Sequence, residues 1–251
     1  MRSPAWLCAR PIAHRGLHDF SAGHVENTRA AARAAIARGF AVECDVRLSA
    51  DGEAFVFHDA TLDRLTEAKG PFATRRAREI AATEVTGAAE TIPSFAEFLS
   101  VIAGAVPLIC EIKSHFDADF RLADRVAALA ASYEGPLAFK SFDSDIIAHL
   151  REVGVERPLG IVAEARYDDP YFAEMSAEQK LRAGAWLHVD RTRPDFLSWH
   201  VEDLPHAIPA LFRGLGRLPV MAWTVRTAEQ RARAARFADQ MVFEGEAAWF
   251  A

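Results

Sequence analysis

Cysteine is scarce: three residues in 251, with no CxxC spacing, fit neither a disulfide framework nor a thiolate zinc site. Cys8, Cys44 and Cys110 are therefore expected to be reduced and mostly buried. An excess of basic residues is also missing, because 29 Lys and Arg face 35 Asp and Glu for a formal net charge of -6. That balance removes the general attraction that nucleic acid or an anionic membrane surface would need, so an anionic substrate must be met by local positive charge or by a metal. No apolar run approaches membrane-spanning length, and the N-terminal stretch has neither an apolar core segment nor a small-residue cleavage site. The expectation is a cytoplasmic protein with no nucleic-acid partner and no stable membrane insertion. Internal repeats, low-complexity tracts and a clear interdomain linker are lacking as well.

What the chain does have is apolar content, 51% of its residues, enough for one substantial core. Short β-rich runs recur at Arg10 to His14, Phe40 to Val46, Ala54 to His58, Pro107 to Ile112, Leu137 to Phe142, Leu159 to Ala163, Trp186 to Val189, Val220 to Val225 and Met241 to Phe243. Alanine-rich amphipathic segments such as Asn27 to Arg38, Phe120 to Ser132 and Asp143 to Val153 lie between them. Ser94 with Glu97, and Thr227 with Gln230, have the spacing of capping boxes. This alternation predicts a parallel sheet covered by helices, an α/β fold whose count suits a (β/α)8 TIM barrel over residues 1–251 as a single domain. The surplus run is placed by Ala50-Asp51-Gly52, a turn too short to hold a helix. A hairpin centred there sets Asp45 opposite Phe57 and returns His58 to the Glu43 to Asp45 stretch; parallel neighbours would instead converge at their C-terminal ends, and either geometry brings these residues together. Residues 60–91 are polar and too long for an ordinary connection, so they read as a small insertion after the strand ending at His58.

Glu43 and Asp45 are two apart on a strand and share a face, while Cys44 points to the other. Glu111 closes a second strand, with Lys113 two residues on. Any one of these carboxylates alone could be a solvated strand end or could pair with a basic residue. Together, at strand ends, they offer three hard oxygen donors, a set suited to one divalent cation, Mg²⁺ or Ca²⁺, rather than to zinc. His14 and His58 each end an apolar run and are followed by Arg15 and Asp59. Around a metal, one imidazole can take a proton from a nucleophile while the other gives one to a leaving oxygen, with Asp59 or Glu26 setting their protonation. Arg15 and Lys113 can then hold phosphate oxygens, arginine through its bidentate fork.

The chain resembles the glycerophosphodiester phosphodiesterases. The matching stretches, in the family's order, are HRG at 14–16, ENT at 26–28, ECDVRLSADG at 43–52, FHDATLDRLT at 57–66, IPSFAEFL at 92–99, EIK at 111–113, SF at 141–142 and WTV at 223–225. The resemblance implies a barrel of the phospholipase C-like kind, with the segment after His58 as the family's small insertion. It also implies a divalent cation on Glu43, Asp45 and Glu111, His14 and His58 as the acid–base pair, and phosphate contacts from Arg15 and Lys113. The implied reaction is hydrolysis of a glycerophosphodiester to sn-glycerol 3-phosphate and an alcohol, with a small-molecule substrate as partner and the oligomeric state left open. The alternatives are a phosphodiesterase for a lysophospholipid or other diester, and a catalytically silent relative that binds the diester. The polar insertion favours a water-soluble substrate.

Around this set stand weaker candidates. Glu26 and Asn27 are expected to brace the start of a helix near His14, with Asn27 or Thr28 as its N-cap; a direct phosphate contact is the alternative for Asn27. Trp223 can wall the pocket or simply pack in the core. Arg226 and the stretch Val242 to Glu246 depart from the family's pattern, which bears on headgroup preference rather than on the metal and histidine positions. Phe72, Phe95 and Phe98 are expected to pack the insertion and its following helix, and His115, His188, His200 and His206 to be structural or surface residues.

Overall fold

The structure is a computed structural model that describes residues 3–245. Its fold class is the (β/α)8 barrel: eight parallel strands alternate with helices, and one extra strand is antiparallel. Residues 12–113 and 120–137 make one compact unit, and residues 3–11, 114–119 and 138–245 make another.

In the first unit the order is β1 (Ile12–Ala13), α1 (Arg29–Ala37), β2 (Ala41–Leu48), β3 (Ala54–Val56), α2 (Ala77–Ala81), α3 (Phe95–Ile102), β4 (Leu108–Ile112) and α4 (Arg121–Ala130). β2 is central, pairing in parallel with β1 and β4, and with β3 as a hairpin. The hairpin turn closes where Ser49 N donates to Glu53 O at 2.9 Å and Gly52 takes a φ of 89°. The Val46 to Val56 register, with Phe57 N donating to Asp45 O at 3.0 Å, is the one the turn position predicts. Thr28 caps α1 by accepting from Ala31 N, and Ser94 with Glu97 forms the expected capping box on α3. The segment 60–91 has its own apolar centre. Leu62, Leu65, Phe72, Ile80 and Val85 pack against Val25, Phe55, Phe57 and Ile92, and each such side chain stabilises the fold by roughly 1.5–3 kcal/mol on burial.

The second unit runs β5 (Leu137–Ser141), α5 (Ser144–Glu152), β6 (Leu159–Ala163), α6 (Ala177–Gly184), α7 (Val189–Thr192), β7 (Phe196–His200), α8 (Ala207–Leu211), β8 (Val220–Val225), α9 (Ala228–Phe237) and β9 (Gln240–Phe243). These strands pair in parallel and in sequence order. One expected strand is not there. Residues 186–189 follow α6 through hydrogen bonds from Trp186 N to Ala183 O and Leu187 N to Arg182 O, and Trp186 takes a φ of 57°. The strand lies instead at Phe196–His200, where Ser198 and His200 hide the apolar pattern. Trp186 is apolar because it stacks on Trp199 of β7, ring centroids 6.0 Å apart, and not because it belongs to a strand.

Among the described residues, no helix is long and apolar enough to cross a membrane.

Candidate active site

β2 and β4 bring the carboxylates together. Their parallel register sets Asp45 beside Glu111, and Glu43 lies one strand repeat away on the same face. One oxygen from each of Glu43, Asp45 and Glu111 lies within 4.8 Å of the other two, and all three residues are buried. Oxygens sharing one Ca²⁺ at about 2.3–2.6 Å lie at most about 4.6–5.2 Å apart, and those sharing one Mg²⁺ at about 2.0–2.1 Å at most about 4.0–4.2 Å, so the three residues could share a Ca²⁺ as they stand and would have to draw closer around Mg²⁺. Three buried like charges this close need cations, and the chain itself supplies two. Lys113 Nζ is 2.8 Å from Asp45 Oδ1 and also bonds Glu111 Oε1, while Arg15 Nε stands 3.3 Å from Asp45 Oδ2. Neither Asp45 Oδ1 nor Arg15 Nε makes an aligned hydrogen bond within the protein, although both are buried. Burial would raise the Asp45 pKa, but Lys113, His58, Arg15 and His14 outweigh it and hold the carboxyl well below the usual range.

β1 ends one residue before His14, and the chain then turns sharply. Gly16 N donates to Ala13 O and to Glu43 O, both at 3.2 Å, with Gly16 at φ 80° against α1. Arg15 and Asn27 take left-handed backbone conformations, φ 57° and 59°, and Asn27 N donates to Arg15 O at 2.9 Å. This turn sets His14 Nε2 3.8 Å from Glu43 Oε2 and lets Arg15 N donate to the same carboxylate at 3.0 Å. Asn27 engages Asp45 at both ends of its amide: Nδ2 donates to Oδ2 at 3.0 Å and Oδ1 accepts from Asp45 N at 3.2 Å.

His58 enters from the hairpin. Its carbonyl accepts from Arg47 Nε at 2.7 Å, and its Nδ1 lies 2.7 Å from Asp59 Oδ1, which leaves Nε2 as the free end of the ring. Burial, helped by Lys113, pushes the His58 pKa down; Asp45 and the Asp59 hydrogen bond oppose this only in part. Glu26 stands at Arg15, not at a histidine, accepting from Nη1 at 2.6 Å. Burial would raise the pKa of Glu26 and of Asp59, yet both are lowered, Glu26 by Arg64 and Arg15 and Asp59 by His58 and Arg64. Arg64 carries no mark in the sequence. It falls within FHDATLDRLT, but its partner Glu26 is 38 positions away.

Trp223 lies in the other unit. Its Nε1 donates to Ser198 O at 2.9 Å, and its ring meets Phe142 edge-on at 5.4 Å and His200 at 4.9 Å. The two departures from the family pattern pair with each other, as Arg226 Nε donates to Glu244 Oε2 at 2.6 Å; Glu246 lies outside the described residues. His188 is buried with Nδ1 3.1 Å from Thr192 Oγ1, and His206 caps α8 by accepting from Ile208 N.

The model of the glycerophosphoryl diester phosphodiesterase family matches residues 14–245. No curated relative matches the chain in sequence. Among solved structures, a phosphodiesterase from Oleispira antarctica in complex with the product sn-glycerol-3-phosphate is 21% identical, covering 94% of this chain and 93% of that one at a TM-score of 0.77. A glycerophosphodiester phosphodiesterase from Thermotoga maritima is 24% identical over 92% of each chain, TM-score 0.68. One from Parabacteroides distasonis is 17% identical over 93% and 92%, TM-score 0.74. Likeness at these identities shows the fold alone.

Proposed function

Because the chain belongs to the glycerophosphoryl diester phosphodiesterase family, we propose that it hydrolyses a water-soluble glycerophosphodiester to sn-glycerol 3-phosphate and an alcohol, with one divalent cation, Mg²⁺ or Ca²⁺. The observation that carries this reading is the convergence, within one compact unit, of three buried carboxylates, two histidines, Arg15 and Lys113. Glu43, Asp45 and Glu111 would hold the cation, which when bound polarises the phosphoryl group and lowers the pKa of a hydroxyl or water. Arg15 and Lys113, which both stand at Asp45, would supply the positive charge that phosphate oxygens need. His14 and His58 are the acid–base pair: one imidazole takes the proton of the attacking water or hydroxyl, and the other delivers a proton to the departing alkoxide. Asp59 fixes the His58 ring with Nε2 toward that exchange.

The insertion, residues 60–91 of a single catalytic domain, supports the soluble substrate. Among the described residues, none of the large exposed hydrophobic side chains lies within it, so it offers no apolar rim for a lipid. The test is release of glycerol 3-phosphate from glycerophosphocholine, glycerophosphoethanolamine and glycerophosphoglycerol with Mg²⁺, Ca²⁺ or chelator, beside His14→Ala. Metal-dependent product that disappears in the variant is expected. A folded, metal-binding protein that releases none from any of the three refutes the proposal.

A further inference from the structure

Among the described residues, some arginine–carboxylate pairs involve one carboxylate alone. Arg125 clasps Glu53 and Arg213 clasps Asp239, and no link runs on from those carboxylates to the catalytic cluster. Arg64 differs. Its guanidinium makes four hydrogen bonds to two carboxylates, Nη1 and Nη2 to Glu26 at 2.7 and 2.8 Å, and Nε and Nη2 to Asp59 at 2.6 and 2.9 Å. The oxygens that Nη2 reaches are the two shared with the site. Glu26 Oε1 also accepts from Arg15 Nη1, and Asp59 Oδ1 also bonds His58 Nδ1. One planar fork thus spans the carboxylate that holds Arg15 and the one that holds His58.

We propose that Arg64, on the insertion, is a positioning residue of the hydrolysis, which orients Arg15 through Glu26 and His58 through Asp59 and so ties the insertion to both phosphate binding and proton transfer. The inference rests on the functional reading above. Neither carboxylate can set its partner's direction unless its own plane is held, and a guanidinium holds a carboxylate plane through paired bonds where a lysine ammonium does not. Arg64 is half exposed, so its pairs add little stability for their number; what they fix is geometry. Through Arg15 this geometry bears on substrate binding, and through His58 on turnover.

The experiment compares wild type, Arg64→Ala, Arg64→Lys and the surface control Arg125→Ala for kcat, KM and thermal midpoint, with and without guanidinium well below denaturing concentration. Arg64→Ala is expected to lose about 10- to 100-fold in kcat/KM, as for other residues that orient ligands from behind, with kcat lowered and KM raised together. Guanidinium should recover part of that loss, Arg64→Lys should stay impaired, and Arg125→Ala should remain within about twofold of wild type. A tether with no other role would instead lower kcat in step with the folded fraction, leave KM unchanged and ignore guanidinium. That result overturns the inference, as does full activity in Arg64→Lys or Arg64→Ala. Wild type without activity refutes the functional reading itself, and an active wild type with unaffected variants refutes only the role of Arg64.

Discussion

Gly16→Ala puts the turn that carries His14 and Arg15 under a load that the structure allows to be sized. Gly16 sits at φ 80°, a region that costs an L residue roughly 1–2 kcal/mol. An added Cβ would lie 2.8 Å from Ala31 C and 2.9 Å from Ala31 Cβ. Ala31 belongs to α1 and is buried, so what must give way is helix backbone, and overpacking of that kind costs about 1–3 kcal/mol. The sum is about 2–5 kcal/mol. For a chain of this size each kcal/mol lowers the thermal midpoint by about 2–4 °C, so the variant should melt roughly 4–20 °C below wild type. Gly16 N also bonds Ala13 O and Glu43 O, so relief of the clash shifts the proposed acid–base and phosphate groups relative to the carboxylates. Displacement of a reacting group by about 1 Å can cost on the order of 100-fold in rate. Gly52→Ala is the internal control: φ is 89° there but nothing lies within 4 Å, so only the conformational cost applies and activity should be kept. The assay is thermal unfolding beside glycerol 3-phosphate release, at a temperature where every variant is folded. Equal midpoints for the two glycine variants, or full activity in Gly16→Ala, would refute the reasoning.

His58→Ala should lower kcat by about 10²–10⁴-fold, the usual contribution of a general acid or base, without loss of cation binding; calorimetric titration with Mg²⁺ and Ca²⁺ separates the two effects. Asn27→Ala removes both amide contacts to Asp45 and leaves a buried carboxylate less well held, so cation affinity should weaken by about 10- to 100-fold; an unchanged binding isotherm would count against the positioning of Asp45 by Asn27. Glu26, Asp45 and Asp59 are all held below the ordinary carboxylate range and so bind protons more weakly folded than unfolded. The stability they contribute is therefore complete above about pH 5, beyond the unfolded carboxylate range, and is lost as pH falls through their lower folded values. In chelator the midpoint should be level from neutral to about pH 5 and fall at lower pH, less steeply in Asp59→Asn. A wild-type midpoint as high at about pH 3 as at neutrality refutes that assignment.

The site could be anticipated in the sequence because most of it follows from period and turn alone. Strand alternation puts Glu43 and Asp45 on one face, and of the two arrangements the Ala50-Asp51-Gly52 turn allowed, the structure has the hairpin, which returns His58 to Asp45. Two features escaped that logic. Trp186 to Val189 has strand composition but is drawn out of a strand by packing against Trp199, a contact no local pattern encodes. Phe196–His200 is a strand despite its polar residues, because Ser198 and His200 sit in a ladder between β6 and β8. Partners distant in sequence were the other loss. Glu26 could be placed near His14 by proximity along the chain, but that it would hold Arg15, and that Arg64 would join it to Asp59, depends on how the insertion folds back over the hairpin.

Charge balance connects the network to its proposed substrate. Five carboxylates meet here, Glu26, Glu43, Asp45, Asp59 and Glu111, against three permanent cations, Arg15, Arg64 and Lys113. With both histidines neutral, the protein side is doubly negative, and it would repel a phosphodiester. Under the proposed function a divalent cation would cancel that excess, and one protonated imidazole would meet the single negative charge of a diester. That is the protonation state an acid–base pair requires, with one ring charged and one neutral. In that reading the cation and the His58 ring are linked electrostatically: removing the metal takes positive charge away from an imidazole whose pKa burial and Lys113 already hold down. Chelation should therefore abolish turnover even where Arg15 and Lys113 still hold the diester, and it should raise the apparent pKa of His58 as followed by its ring proton shifts. An imidazole whose titration ignores the cation would sever that link.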